Sequence, residues 1–129
     1  MINTASIEQF ETHVPGVYAF RVKDEVTRED LEAMAQTMNT AFDRLDELDM
    51  LISFKSDLGS EFGANLDAEV LKAQFRSISK VRNYCVAGAP EAAEAAIRFF
   101  RHLIPVEAKT FDSEHNAIEH LRAQSPLTG

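Results

Sequence analysis

Met50-Leu51-Ile52-Ser53-Phe54 is a nearly continuous apolar run of strand length. Such a run suits a strand buried on both faces, with helices packed above and below it. The residues before it agree. Thr27 opens the clearest helical pattern in the chain. Its hydroxyl can accept from free N–H groups of the first turn, and Glu29 and Asp30 suit the positive end of the helix dipole. Leu31, Met34, Ala35, Met38, Ala41, Phe42 and Leu45 follow at helical spacing, while Asp43, Arg44, Asp46 and Glu47 fall mostly off that stripe. Further upstream, Val17-Tyr18-Ala19-Phe20-Arg21-Val22 reads as a strand of β-branched and aromatic residues. The turn signal Val14-Pro15-Gly16 separates it from a short first strand around Ile7, Gln9 and Phe10.

Downstream, residues 56–65 are loop-like and carry Gly59 and Gly63. A helix is predicted from about Asp67 to Ser77, with Leu71, Phe75 and Ile78 inward. The next strand is predicted from Val81 to Gly88, centred on Tyr84-Cys85-Val86-Ala87. Pro90 suits the first turn of a third helix, whose apolar face is Ala93, Ala96, Ile97, Phe100 and Leu103, and Pro105 ends it. Val106–Phe111 reads as the last strand, and Ser113 caps a final helix with Ala117, Ile118 and Leu121 inward. The order β-β-α-β-α-β-α-β-α implies an α/β fold. We expect a five-stranded mixed, mostly parallel sheet with four main helices, Met50–Phe54 in its interior and the opening strand antiparallel. Residues 1–124 form one domain in this reading, and 125–129 a flexible tail.

Composition narrows the function. The chain has 129 residues, 45% hydrophobic and 26% charged, enough for one unaided core. Its net charge of −8 argues against nucleic-acid binding, which needs basic surface. The charge is uneven: residues 1–71 hold 5 basic and 15 acidic side chains, and residues 72–109 hold 7 and 3. Neither a signal peptide nor an apolar stretch of membrane-spanning length is visible. Cys85 is the only cysteine, so no internal disulfide can form. These features point to a cytoplasmic location, with peripheral attachment at the membrane as an option.

Tyr84-Cys85-Val86-Ala87-Gly88-Ala89-Pro90-Glu91, Ile97-Arg98-Phe99-Phe100 and the stretch from Leu103 to Phe111 together resemble the SpoIIAA-like family of small bacterial proteins. The resemblance implies the STAS fold, shared with anti-sigma factor antagonists and likened to the lipid-binding CRAL-TRIO (Sec14-like) domains. Antagonists carry a phosphorylatable serine in an Asp-Ser-Ser/Thr-Gly motif after the central strand. The matching stretch here is Lys55-Ser56-Asp57-Leu58-Gly59-Ser60, which lacks that motif. No serine is therefore expected to act as an obligatory switch.

No catalytic constellation assembles. None of the pairs among His13, His102, His115 and His120 has the four-residue spacing of a helical zinc site, and all four are expected at the surface. Cys85 in mid-strand has no activating base and reads as a small hydrophobe. Gly88-Ala89-Pro90-Glu91 reads as a tight turn, because Pro90 lacks a donor and Glu91 repels anions. No enzyme activity, cofactor or metal is expected.

Two sets of residues suggest binding. Leu58, Phe62, Leu66, Phe75, Phe99 and Leu103 could line a groove for a small apolar or lipid-like ligand, or simply close the core. Lys72, Arg76 and Lys80, with Arg98 and Arg101, could touch anionic headgroups or an acidic protein partner, or form an ordinary solvated face. Residues 57–65 are expected to be the most mobile internal segment, a loop that closes on Leu58 and Phe62. The favoured reading is a non-enzymatic module binding a small apolar or lipid-like ligand, with membrane-surface contact. Its alternative is a regulatory protein–protein module of the antagonist type.

Overall fold

A computed structural model of the chain describes residues 2–24, 26–54, 80–88, 94, 97–98 and 106–124. Five strands form one sheet: β1 (Ile7–Phe10), β2 (Val17–Val22), β3 (Leu48–Phe54), β4 (Val81–Ala87) and β5 (Ala108–Phe111). They lie side by side in chain order. β1 runs antiparallel to β2, and the other three pairings are parallel. The mixed, mostly parallel sheet expected from the sequence is thus observed, with β3 at its centre.

Two helices are described in full, α1 (Arg28–Arg44) and α2 (Glu114–Gln124). The structure thus gives two of the four expected helices. The one predicted over 67–77 lies outside the described residues. Of the one predicted from Pro90, only Glu94, Ile97 and Arg98 are described, with helical backbone. α1 begins as its sequence requires: Asp30 N donates to Thr27 Oγ1 at 3.2 Å, and Leu45 closes the far end by donating to the Ala41 carbonyl at 2.9 Å. Ser113 likewise accepts from Asn116 N at 3.2 Å at the start of α2.

Strand alternation divides the core between two sheet faces. On one face, Phe20, Val22, Met50, Ile52, Phe54, Tyr84 and Val86 pack with Leu31, Met34, Met38 and Phe42 of α1. On the other, the smaller set Ala19, Leu51, Cys85 and Ala87 packs with Ala117 and Leu121 of α2. Every residue of β3 is buried, as a strand covered on both faces must be.

The strand ends differ from the sequence reading in informative ways. β3 starts two residues early, at Leu48, and takes the charged Asp49 into the sheet, where it pairs with Val17 and Asn83. β5 starts at Ala108, not Val106, because pairing with β4 begins at Tyr84↔Ala108. β4 stops at Ala87. Gly88 has φ +146°, and a Cβ there would lie 3.1 Å from Phe54 Cβ. The glycine is needed for this close approach as the chain leaves the sheet. At the opposite edge, residues 2–4 fold back on β1: Gln9 N donates to the Ile2 carbonyl at 2.9 Å and Thr4 N to the Ile7 carbonyl at 2.7 Å. This pairing covers part of the open edge of β1.

Candidate functional site

The carboxyl ends of parallel strands are where open α/β sheets present their binding groups. Here β2 and β3 bring Arg21 and Ser53 into register on the α2 face, directly opposite each other. Both meet Glu114, the first residue of α2. Arg21 Nε donates to Glu114 Oε2 and Nη2 to Oε1, each at 2.8 Å, a two-pronged fork. Ser53 Oγ donates to Oε2 at 2.6 Å. β1 completes the arrangement. Its Glu8 accepts from Arg21 Nη1 at 3.4 Å, and the guanidinium carbon sits 4.4 Å from the centre of the Phe10 ring.

The charges respond accordingly. The Arg21 fork holds the Glu114 carboxyl below its ordinary value, against the opposing effect of burial, and Ser53 adds to the lowering. Glu114 in turn raises Arg21. Both side chains are 30% exposed, so solvent screens the pair. Its net contribution is on the order of 1 kcal/mol. Chemically the cluster is a closed set: the arginine, the hydroxyl and the carboxylate satisfy one another and fasten α2 to the sheet.

A second cluster lies at the other end of the strands. Asp49 is buried, and its carboxylate is gripped by both neighbours on β4. Arg82 donates through Nε to Oδ1 at 3.3 Å and through Nη2 to Oδ2 at 3.1 Å, while Asn83 Nδ2 reaches Oδ1 at 2.9 Å. A register shift between Leu48 and Asp49 lets two consecutive residues converge on one carboxylate. Arg82 is raised chiefly by its hydrogen bonds to Asp49 and lies 3.8 Å from Glu47. A third cluster ties β1 to α1. Ser6 donates to Asp30 Oδ2 through its backbone N at 3.1 Å and its hydroxyl at 2.5 Å, and this lowers the Asp30 carboxyl.

The residues singled out from sequence fall as follows. Leu58, Phe62, Leu66, Phe75, Phe99 and Leu103 all lie outside the described residues, as do Lys72, Arg76, Arg101 and the 57–65 loop. Lys80 and Arg98 are described. Lys80 Nζ donates to the Phe42 carbonyl at 2.5 Å, at the carboxyl end of α1, where a cation is favoured. Arg98 lies 3.6 Å from Glu94, one helical turn away, both exposed. Each of these two cations therefore has an anionic or carbonyl partner within the chain.

Cys85 is fully buried in the α2-side core, and burial pushes its thiol up to about 12. Tyr84 is buried on the α1 side, where desolvation raises its phenol. Neither group is prepared for nucleophilic chemistry at neutral pH. Among the described residues, no group of three or more His, Cys, Asp and Glu is placed to hold a metal ion. His13 and His115 are exposed as expected. His120 is not a free surface residue. Its ring lies 5.3 Å from that of Phe111, and its Nε2 is buried with no hydrogen-bond partner among the described residues. His102 lies outside the described residues.

Sequence reasoning missed all three charged clusters. Arg21 and Glu114 are 93 positions apart, and no local spacing links them. The one available signal was alternation: Arg21 and Ser53 each interrupt an apolar run, Val17–Val22 and Met50–Phe54, so each marks a site where the sheet meets a polar partner. Among the described residues, no helix is long and apolar enough to cross a membrane.

Comparison with curated proteins and with solved structures finds no match. The SpoIIAA-like family model matches residues 17–122, from the start of β2 to the last turn of α2. This span takes in the whole parallel part of the sheet, α1 and the Arg21–Ser53–Glu114 cluster. The chain therefore belongs to the SpoIIAA-like family.

Proposed function

We propose that this chain is a non-enzymatic regulatory module that works by binding another protein, in the manner of the anti-sigma factor antagonists of the STAS fold. The observation that carries the reading is the family match over residues 17–122, joined to a five-stranded mixed sheet. The side-chain chemistry is consistent with it. Arg21, Ser53, Glu114, Asp49 and Arg82 are engaged with one another, and the thiol and phenol are buried. Such groups hold the fold in shape, as a binding module requires. The reading of an apolar or lipid-like ligand has less support. Its six lining residues lie outside the described residues, and the family match adds nothing to the CRAL-TRIO likeness behind it.

Native mass spectrometry on gently purified full-length protein tests the proposal. A protein partner of defined stoichiometry is the expected result. A co-purified lipid-like mass, with no protein bound, would overturn it.

A further inference from the structure

The two helices described in full are held to the sheet very unequally. α1 buries Leu31, Met34, Ala35, Met38, Ala41 and Phe42. α2 buries only Ala117 and Leu121, with Ile118 packed at the margin. The fully buried part of the sheet face under α2 is small, Ala19, Cys85 and Ala87 beside Leu51, and the larger Phe10, Val17 and Phe111 pack against it only partly buried, with Phe111 meeting His120 of α2. An 11-residue helix has marginal stability by itself in water, so α2 depends on that docking. What the apolar contact lacks, Glu114 supplies at one end through Arg21 and Ser53. The link to the sheet is short: Asp112 and Ser113, both exposed, lie between β5 and α2.

We propose that α2 is a hinged cover, latched by Glu114 to Arg21 and Ser53, which lifts from the sheet as a unit while α1 and its side of the core stay folded. Lifting pivots at Asp112–Ser113. It breaks the fork and the serine bond, and it withdraws Ala117 and Leu121 from Leu51 and Cys85. The elements of a protein that open locally are those with few buried apolar contacts, and α2 meets that description. Opening uncovers Arg21, Ser53 and the Leu51–Cys85 strip towards the carboxyl ends of the parallel strands, the end at which open α/β sheets take ligands. The cover is independent of any partner, so its test separates from that of the regulatory reading.

The chain carries its own reporter. Cys85 is the single cysteine, lies in the cluster under α2 and is fully buried when α2 is docked. A thiol reagent such as dithiobis-nitrobenzoate reaches it only when the cover lifts or the whole chain unfolds. Labelling of the full-length protein is followed across urea concentrations below the unfolding transition, beside global unfolding by circular dichroism. The expected result is a labelling rate that depends on urea much less steeply than global unfolding does. Glu114→Gln should speed labelling about fivefold in the absence of urea, the factor that corresponds to losing this partly exposed, two-pronged contact. Met38→Ala, which weakens only the α1 side, should leave the rate unchanged. Labelling that follows global unfolding in slope, and that Met38→Ala accelerates in step with its loss of stability, would overturn the cover. The wild-type urea slope alone decides the matter if either variant fails to fold.

Discussion

The carboxylate of Asp49, only 1% exposed, is bound by the guanidinium of Arg82 at 3.1 Å across the β3–β4 pairing. A charge so deeply placed is tolerated because two donors of Arg82 and the amide of Asn83 replace the water it has lost. The register shift of the central pair falls beside it, between Leu48 and Asp49. Removing the cation alone leaves a buried anion with one neutral donor. Arg82→Met should therefore lower unfolding free energy by about 3 kcal/mol. The cost is held to that level by the 34% exposure of the arginine side chain, which lets water reach the site. Asp49→Leu combined with Arg82→Met should cost clearly less than the sum of the two single changes, because neither charge is then left alone. Urea denaturation of the four proteins measures this, and simple additivity would contradict it.

Acid should loosen α2 through Glu114. Its carboxyl is held below the ordinary 4.5 chiefly by Arg21, so folding favours the ionised form. The stability it contributes is fully present above about pH 4.5 and is lost as pH falls through the lowered folded value. Glu114→Gln should thus be less stable than wild type by about 1 kcal/mol at pH 7. The gap should narrow only below about pH 4.5. Asp30, lowered by Ser6, acts with the same sign at the β1–α1 tie, starting from 3.8. Urea midpoints for both proteins at pH 7, 4.5 and 3 check the trend, and a gap that widens with acid would contradict it.

Gly88→Ala should destabilise by about 2 kcal/mol, through a φ that side chains rarely adopt and a Cβ pressed against the strand beside it. That strand contributes Phe54 Cβ at 3.1 Å and its carbonyl oxygen at 3.4 Å, and the backbone there cannot move aside without disturbing β3. Thermal unfolding of the variant provides the measurement.

His13 has φ +62° in the turn between β1 and β2, and it is exposed. A left-handed non-glycine residue costs about 1–2 kcal/mol. Glycine at the same place relieves that cost but adds about 0.4–1 kcal/mol of freedom to the unfolded chain. His13→Gly should therefore raise stability modestly, by under about 1 kcal/mol. A destabilised variant would show that the histidine side chain itself holds the turn.

Ser56 and Ser60 lack the antagonist phosphorylation motif. Under the regulatory reading, Ser56→Ala and Ser60→Ala should bind the protein partner as wild type does. Loss of binding in either variant, with the far-ultraviolet circular dichroism unchanged, would establish a serine switch.

The sequence by itself determined the parts of this protein whose causes are local. A stripe every three to four residues, opened by Thr27, is enough to make α1, since the periodicity and the capping hydroxyl lie within one segment. A five-residue run that is apolar except at Ser53 is enough to place Met50–Phe54 at the centre of a sheet, because a strand covered on both faces hides such a run. The family resemblance was legible in the same way, in short stretches between Tyr84 and Phe111. The tertiary structure alone decided where charge enters the interior. Asp49 reads as a polar residue outside a strand, and its inclusion in β3 depends on a guanidinium 33 positions away. Glu114 reads as an ordinary acidic residue at the start of a helix, and its part in fastening α2 depends on Arg21 and Ser53 arriving on the same face from two other strands. Burying a charge is unfavourable until its partners are present. Those partners come from distant segments, so their meeting is a property of the folded sheet and leaves no mark in the spacing of the chain.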